Sequence, residues 1–127
     1  MTVTQPQAFA FRYDAFRLLL SAMGMGPRYA RIELDADALR VRMGWAFTAT
    51  IPLERITGAE ARSGPVGGIG VHGLRGRWLV NGAATGLVAI TIEPPVRARV
   101  GIPVALSQLT LSLEDPEGFL AALGRAP

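Results

Sequence analysis

Residues 31–43 read Arg-Ile-Glu-Leu-Asp-Ala-Asp-Ala-Leu-Arg-Val-Arg-Met, and this stretch decides the fold class. Apolar residues occupy every second position in 31–34 and again in 39–43, with a short polar connection between the two runs. Such alternation is typical of strands that have one buried face and one wet face. The stretch therefore predicts an antiparallel hairpin whose apolar side chains face a core and whose arginines face water.

The same alternation continues on both sides of this hairpin. It predicts further strands at 9–13, 47–51, 57–62, 69–71, 76–80, 86–92 and 109–113. Turn signals separate them, among them the Pro- and Gly-rich stretch 63–68 and the pair Asn81-Gly82. Glu93-Pro94-Pro95 is expected to end the strand before it, because proline cannot donate to a ladder. Residues 96–100 carry no decisive pattern.

A short amphipathic segment precedes the strands in residues 14–24. Asp14 is placed to cap a helix, and Phe16, Leu19, Leu20 and Met23 fall on one stripe of a 3.6-residue period. We expect this stripe to pack on the core. A membrane-surface anchor is the alternative, although Arg17 is the segment's single basic partner for lipid headgroups.

A second helix is predicted at residues 115–123. Asp115 caps it, Pro116 lies in its first turn, and Phe119, Leu120 and Leu123 form its apolar stripe. About nine residues is too short for a helix to be stable alone, so this helix should dock on the sheet.

Length and composition describe one folded domain, residues 1–127. Half of the residues are hydrophobic and 18% are charged, which excludes a disordered chain. Residues 1–7 are expected to be flexible, and residues 8–24 to form the N-terminal strand and helix. No apolar run approaches the ~18 residues of a membrane-spanning helix, and the start lacks a secretory signal, so a cytoplasmic location is expected. The chain has no cysteine, which excludes disulfides and thiolate metal sites.

All thirteen basic residues are arginine, which a G+C-rich coding bias explains better than functional selection does. Three Arg-x-Arg pairs recur, and residues two apart on a strand share a side about 7 Å from each other. That spacing suits phosphate or carboxylate oxygens, although a wet sheet face needs charged residues in any case. The candidate anion or partner contacts are Arg31, Arg40, Arg42, Arg75, Arg77, Arg97 and Arg99. Trp45 and Trp78, each near a glycine, are candidate interface anchors.

The order of antiparallel strands followed by one terminal helix resembles that of pleckstrin-homology-like (PH-like) domains. Short segments at 51–56, 64–65, 70–71, 86–90, 95–96, 109–113 and 115–117 also resemble, in that order, a small uncharacterised actinobacterial family with a PH-like domain. The resemblance covers residues 9–123. It implies a mainly β (α+β) fold: an antiparallel rolled sheet or barrel of six to seven strands, capped by the C-terminal helix. It implies nothing about activity, because one fold hosts many functions.

Phosphoinositide-binding members of the PH superfamily use basic residues on the first two strands, and Arg31, Arg40 and Arg42 occupy comparable places here. Asp35 and Asp37 lie in the connecting loop, where carboxylates oppose a phosphate. The resemblance therefore gives only weak grounds for headgroup binding at that loop.

The sequence contains no convincing catalytic, metal or cofactor site. Residues 68–73 match the pattern G-x-G-x-x-G, but no strand precedes them and no capped helix follows, as a phosphate cradle needs. His72 is the single histidine, so a zinc site or a Ser-His-Asp triad has no partners in a suitable pattern. We therefore expect no metal, no cofactor and no enzymatic activity.

The functional expectation is a non-catalytic interaction module of PH-like fold that binds a protein partner, or a second copy as a dimer, along a sheet edge. One alternative is a carrier with an apolar small molecule inside the barrel. Another is binding to anionic lipid or a membrane surface through the arginine pairs. Nucleic-acid binding is not expected, because stacking of bases on a basic sheet needs exposed aromatic residues interleaved with the arginines, and only Arg77-Trp78 approaches that pattern.

Overall fold

The computed structural model of the chain describes residues 6–63 and 68–125. The structure is mainly β, with 56% strand and 18% helix, so the mainly β prediction is confirmed. The strands are β1 Gln7–Phe9, β2 Ala30–Leu34, β3 Ala38–Met43, β4 Phe47–Pro52, β5 Ile56–Arg62, β6 Gly70–Leu74, β7 Arg77–Asn81, β8 Leu87–Arg99 and β9 Pro103–Ser112. The helices are α1 Arg17–Ala22 and α2 Pro116–Arg125, and 3₁₀ turns span Pro27–Tyr29 and Leu53–Arg55.

These strands form one nine-stranded sheet in the order β1-β2-β3-β4-β8-β9-β7-β6, with β5 paired to β8 beside this path. Neighbours are antiparallel except β7 and β9, which run parallel. The sheet is not closed, and its strand count is not the expected six to seven.

The predicted hairpin is present as β2 and β3, with Leu34 opposite Leu39. Asp35 closes it, because its Oδ1 accepts the backbone N–H groups of Asp37 at 2.8 Å and Ala38 at 2.9 Å. The side chain of Asp35 also pairs with Arg40. The loop that the PH resemblance singled out is thus tied down by its own carboxylate.

The core lies on one face of the sheet and beneath α2. Ile32, Val41, Ala49 and Ala98 stand opposite one another across β2, β3, β4 and β8, and all four are buried. The predicted C-terminal helix is confirmed as α2, and Phe119 on it is fully buried. Asp115 caps α2 by accepting the Gly118 N–H at 2.9 Å. Burial of such a ring compensates for a helix too short to persist alone.

Strand β8 corrects the prediction that Glu93-Pro94-Pro95 ends a strand. The strand continues to Arg99, and its pairing with β9 shifts register between Thr91 and Val96. The prolines therefore occupy an irregular stretch of the strand. In that stretch the sheet does not need the backbone N–H hydrogen bonds that proline cannot donate. Residues 96–99 form the second half of β8, and β9 begins six residues before the predicted strand, at Pro103 rather than Leu109.

The predicted turn at Asn81-Gly82 is also wrong. Asn81 ends β7 and is fully buried, and its amide donates to the carbonyls of Gly68 and Ala83. The side chain thus ties the residues before β6 to those after β7. Of the loop predicted at 63–68, residues 64–67 lie outside the described residues.

The N-terminal strand differs from the predicted 9–13. Strand β1 ends at Phe9, and Phe11 and Tyr13 make isolated bridges to Leu113 and Gly82. Of the segment expected to be flexible, residues 1–5 lie outside the described residues, whereas Gln7 belongs to β1.

Helix α1 corrects the prediction of an apolar core stripe. It spans six residues, and of the four stripe positions only Leu20 is buried. Phe16, Leu19 and Met23 are 49%, 56% and 47% exposed. The sequence period identifies side chains that share a helix face, but another element must still cover that face.

Within the two described segments, no helix has the length and apolarity needed to cross a bilayer.

Candidate functional site

The exposed large apolar side chains of this chain gather at one end of the sheet. Seven of them define what we call the apolar end: Phe16, Leu18, Leu19, Met23, Tyr29, Trp45 and Ile102, with exposed fractions between 47% and 84%. Single exposed hydrophobic residues are ordinary, whereas a contiguous group marks an interaction surface or a liability.

Strand register places three of these residues at the same end. Tyr29 immediately precedes β2, Trp45 lies in the turn between β3 and β4, and Ile102 lies between β8 and β9. Because Ala30 pairs with Met43, Met43 with Phe47, and Thr48 with Arg99, the three connections emerge side by side.

Helix α1 is held against this end by close contacts. The Trp45 indole Nε1–H donates to the Met23 carbonyl at 2.6 Å. Gly44 has a φ of +55°, and an added Cβ there would lie 1.8 Å from the Gly24 carbonyl oxygen, so only glycine fits. The turn carrying Trp45 therefore packs backbone to backbone against the residues after α1.

Tyr13 fixes the other side of this segment. Its hydroxyl donates to the Met25 carbonyl at 2.7 Å. Partial burial raises the pKa of Tyr13 to about 12, with the nearby Arg17 opposing that shift. Two hydrogen bonds, from Tyr13 and Trp45, thus hold the chain on both sides of Gly24 and present the exposed apolar residues in a fixed arrangement.

A row of arginines crosses the sheet directly behind the apolar end. Arg31 stands opposite Arg42, Arg42 opposite Thr48, and Thr48 opposite Arg99, so the four residues form one line on the outer face of β2, β3, β4 and β8. Adjacent strands lie about 4.8 Å apart, so this arginine row is roughly 14 Å long. Like charges placed directly opposite each other destabilise a sheet. The row is therefore an unfavourable arrangement for stability alone.

Pairing within the chain neutralises little of this row. Arg31 lies 3.8 Å from Glu33, and both side chains are partly exposed. In the described part of the chain, neither Arg42 nor Arg99 forms an ion pair. The Arg42 Nε–H donates to the Gly44 carbonyl at 3.2 Å, which holds that guanidinium beside the Trp45 turn.

A groove joins the arginine row to the apolar end. It has a volume of about 540 Å³ and is lined by Ser21, Ala22, Gly24, Arg28, Tyr29, Arg31, Arg42, Gly44 and Trp45. The Arg28 guanidinium lies 5.9 Å from the centre of the Tyr29 ring, within cation–π range. Three cations and two amphipathic aromatic rings thus face one open space.

At the opposite end of the same strands three carboxylates lie near two arginines, Arg40 and Arg55. The connection between β2 and β3 carries Asp35 and Asp37, and Glu54 is exposed after β4. The connection between β2 and β3 therefore lies at the more negative end of these strands, and Arg31, Arg42 and Arg99 lie at the other end.

The remaining predicted residues lie elsewhere. Arg40 pairs with Asp35. Arg97 lies two positions before Arg99 and lines with it a shallow groove of about 330 Å³ that also contains Thr48 and Thr50. Arg75 and Arg77 flank the turn between β6 and β7 and line a separate groove of about 580 Å³ with Trp78. The Arg77 Nε–H donates to Gln108 at 2.9 Å. The seven predicted arginines therefore form two groups rather than one site.

The two predicted anchors differ from each other. Trp45 is 69% exposed, whereas Trp78 is partly buried and its ring covers Gly73, where an added Cβ would lie 2.3 Å from the ring. His72 lies 2.6 Å from the Ile69 carbonyl and faces no carboxylate in an ion pair within the described segments. Residues 6–63 and 68–125 contain no group of three or more His, Asp or Glu that could hold a metal ion.

Comparison of the chain with protein-family models, with curated proteins and with solved structures gives no match.

Sequence reasoning missed the apolar end and the role of Thr48 in the arginine row. The run Leu18-Leu19-Leu20 carries a signal for the first, because three consecutive leucines cannot all lie on the buried face of a helix. Thr48 has no local signal. It joins Arg42 to Arg99 through strand pairings that span half of the chain.

Proposed function

We propose that this chain is a non-catalytic binding module with a PH-like fold, and that it attaches to the anionic surface of a membrane through its apolar end. The observation that carries the proposal is the register that sets Arg31, Arg42 and Arg99 in one row behind the exposed Tyr29, Trp45 and Ile102. Apolar side chains ahead of a row of cations match the layering of acyl chains and phosphates in a bilayer interface.

Trp45 is suited to that layer. Tryptophan concentrates at membrane interfaces because its ring is apolar and its N–H is polar. Here the N–H is already satisfied by the Met23 carbonyl, so the ring can leave water without losing a hydrogen bond. Each arginine near an anionic surface adds about 1 kcal/mol to binding. Neither contribution suffices alone, and together they supply the two signals that stable attachment needs.

Charge favours a membrane over a second copy of this chain as the occupant of the apolar end. Two copies meeting through these surfaces would bring Arg28, Arg42 and Arg99 of each copy together, and like charges at an interface oppose association. An anionic lipid surface supplies the complementary charge over the whole width of the row.

The carrier alternative has less support. Phe47, Ile90, Leu109 and Leu111 are fully buried on the core face, and the grooves considered above lie on the outer surface. A carrier needs an enclosed apolar cavity of several hundred Å³. We accordingly place the binding surface outside the sheet.

Vesicle flotation tests the proposal. The chain should float with vesicles of phosphatidylcholine and phosphatidylglycerol and remain behind with phosphatidylcholine alone. Binding should weaken steeply with salt, because surface charges are screened. Retention in solution with both vesicle types, or binding that is indifferent to salt, would refute the proposal.

Fluorescence identifies the surface that makes contact. In a Trp78→Phe variant, Trp45 is the single tryptophan and becomes the reporter. Its emission should shift to shorter wavelength when anionic vesicles are added. A matched Trp45→Phe variant, which retains Trp78, should show no shift. A shift of Trp45 with protein concentration and without lipid would instead assign the apolar end to self-association.

A further inference from the structure

Strand β6 is an open edge of the sheet. In the sheet order β6 comes last and pairs only with β7, so within the described segments no strand adjoins its outer side. An unpaired edge presents a row of backbone N–H and C=O groups to which another strand can add.

This edge lacks the features with which proteins block such addition. Its five residues, Gly-Val-His-Gly-Leu, include no proline and none of the charged residues Asp, Glu, Lys or Arg. By contrast, β5 carries Glu60 and Arg62 and an irregular register after Ile56, and β1 is only three residues long. Charge, irregularity and shortness protect the other free edges, whereas β6 has its modest length and, at its first residue, the buried Gly70 with a φ of +105°.

We propose that β6 pairs with β6 of a second copy of this chain, antiparallel and with a two-fold axis through His72. In this register Leu74 of one copy stands opposite Gly70 of the other, Val71 opposite Gly73, and His72 opposite His72. Val71 thus meets the exposed Gly73, Leu74 meets Gly70, which is buried beside Leu20, and the pattern is complementary to itself. A two-fold interface requires such self-complementarity.

The surroundings of β6 fit this pairing. Leu74 is 73% exposed, and among the large exposed hydrophobic side chains of residues 6–63 and 68–125 it alone lies outside the apolar end. Trp78 covers Gly73 from the neighbouring strand, so Val71 of the second copy would pack beside an aromatic ring. The prediction that Trp78 is an interface anchor thereby acquires a specific partner.

This dimer should be weak, because its interface is small and carries like charges. Two five-residue strands bury less surface than a standard protein interface. Arg75 and Arg77 lie near the contact on both copies, so their charges repel. Salt screens that repulsion, so the dimer should persist or strengthen as salt rises. Vesicle binding through the apolar end should instead weaken as salt rises. The salt dependence therefore distinguishes failure of the dimer proposal from failure of the membrane proposal.

Sedimentation of charge variants tests the register. The wild-type chain should show a monomer–dimer equilibrium as concentration rises. His72→Lys and His72→Glu should each be monomeric, because the axis places equal charges opposite each other. An equimolar mixture of the two variants should form a dimer again, since the opposed charges now attract.

The matched control is at Thr57, an exposed residue on the other open strand, β5. Thr57→Lys and Thr57→Glu should dimerise as the wild type does. If either His72 variant fails to fold, as judged by circular dichroism, Leu74→Lys replaces the pair, because that side chain points into solvent, and it should be monomeric.

Three results would overturn the proposal. A wild-type chain that stays monomeric at all concentrations is the first. A dimer that survives a folded His72 or Leu74 variant is the second. The third is a mixture of folded His72→Lys and His72→Glu variants that remains monomeric, because that result contradicts the pairing of His72 with His72 across the two-fold axis.

Discussion

Helices α1 and α2 differ in the burial of their apolar residues. Helix α2 buries Phe119 completely, and the Phe119 ring meets Phe9 edge to face at 5.2 Å. Helix α1 buries Leu20 and leaves Leu18 84% exposed and Leu19 56% exposed. Helix α1 therefore contributes little to the stability of the fold. Its exposed apolar residues remain available to bind an external surface.

Substitution of the buried ring should have the largest effect on stability. Phe119→Ala removes a fully buried ring from the core, and such changes cost about 3–5 kcal/mol. Chemical denaturation should show this loss in the free energy of unfolding. Phe16→Ala, beside α1 and half exposed, is the matched control and should change that free energy by less than about 0.5 kcal/mol. Equal costs for the two substitutions would remove the contrast between the helices.

Loss of the exposed leucines should be the next largest effect, and on binding rather than stability. A leucine that leaves water completely contributes roughly 1.5–3 kcal/mol. The double variant Leu18→Ser, Leu19→Ser should therefore lose affinity for anionic vesicles on the order of a hundredfold, while its unfolding curve stays nearly unchanged. Flotation and denaturation of the same preparation measure both. Full retention of vesicle affinity would show that α1 does not enter the lipid.

Single arginines should have smaller effects on binding. Arg42→Gln should lower the affinity for anionic vesicles about fivefold, as expected for about 1 kcal/mol per arginine near the surface. The slope of affinity against salt should also decrease. Arg75→Gln, in the other arginine group, is the control and should leave both quantities unchanged. Equal losses in the two variants would mean that total charge, and not the arginine row, drives binding.

Tyr13 should produce the smallest effect, and only in alkali. Its folded pKa of about 12 lies above the ordinary value of 10.0, so the folded chain holds this proton more tightly than the unfolded chain does. Stability from this group is complete below about pH 10 and is lost as the pH rises toward about 12. Tyr13→Phe should lack this part of the alkaline decline, whereas Tyr29→Phe should retain it. Denaturation curves across that range measure the difference.

How much of the fold could be predicted depended on how local each signal was. The β2–β3 hairpin follows from the alternation in residues 31–43, and α2 follows from its Asp115 cap and apolar stripe. The continuation of β8 beyond Pro95 could not be predicted, because the irregular register that tolerates prolines depends on its partner β9. The exposure of α1 could not be predicted either. The 3.6-residue period shows which side chains share one face of the helix, but it does not show whether another part of the chain covers that face.

In the candidate site, too, local sequence signals predicted the residues, whereas their arrangement depends on distant strand pairings. Arg42 and Arg99 were predicted as contacts from residue type and spacing, and Arg31 from the resemblance to PH-like domains. Their alignment through Thr48 depends on the pairing of β4 with β8, two strands far apart in the chain. Trp45 was predicted as an anchor, but its hydrogen bond to Met23 joins two loops that no sequence pattern connects.

The unequal ends of the sheet have a consequence for how the molecule would meet a charged plane. Excess arginine at one end and Asp35, Asp37 and Glu54 at the other separate charge along β3 and β4, whose six residues each rise about 3.3 Å per residue. Such a separation gives the chain an electric dipole moment along its strands. Near an anionic plane such a dipole would experience a torque that turns the end with the arginine row toward the plane before contact.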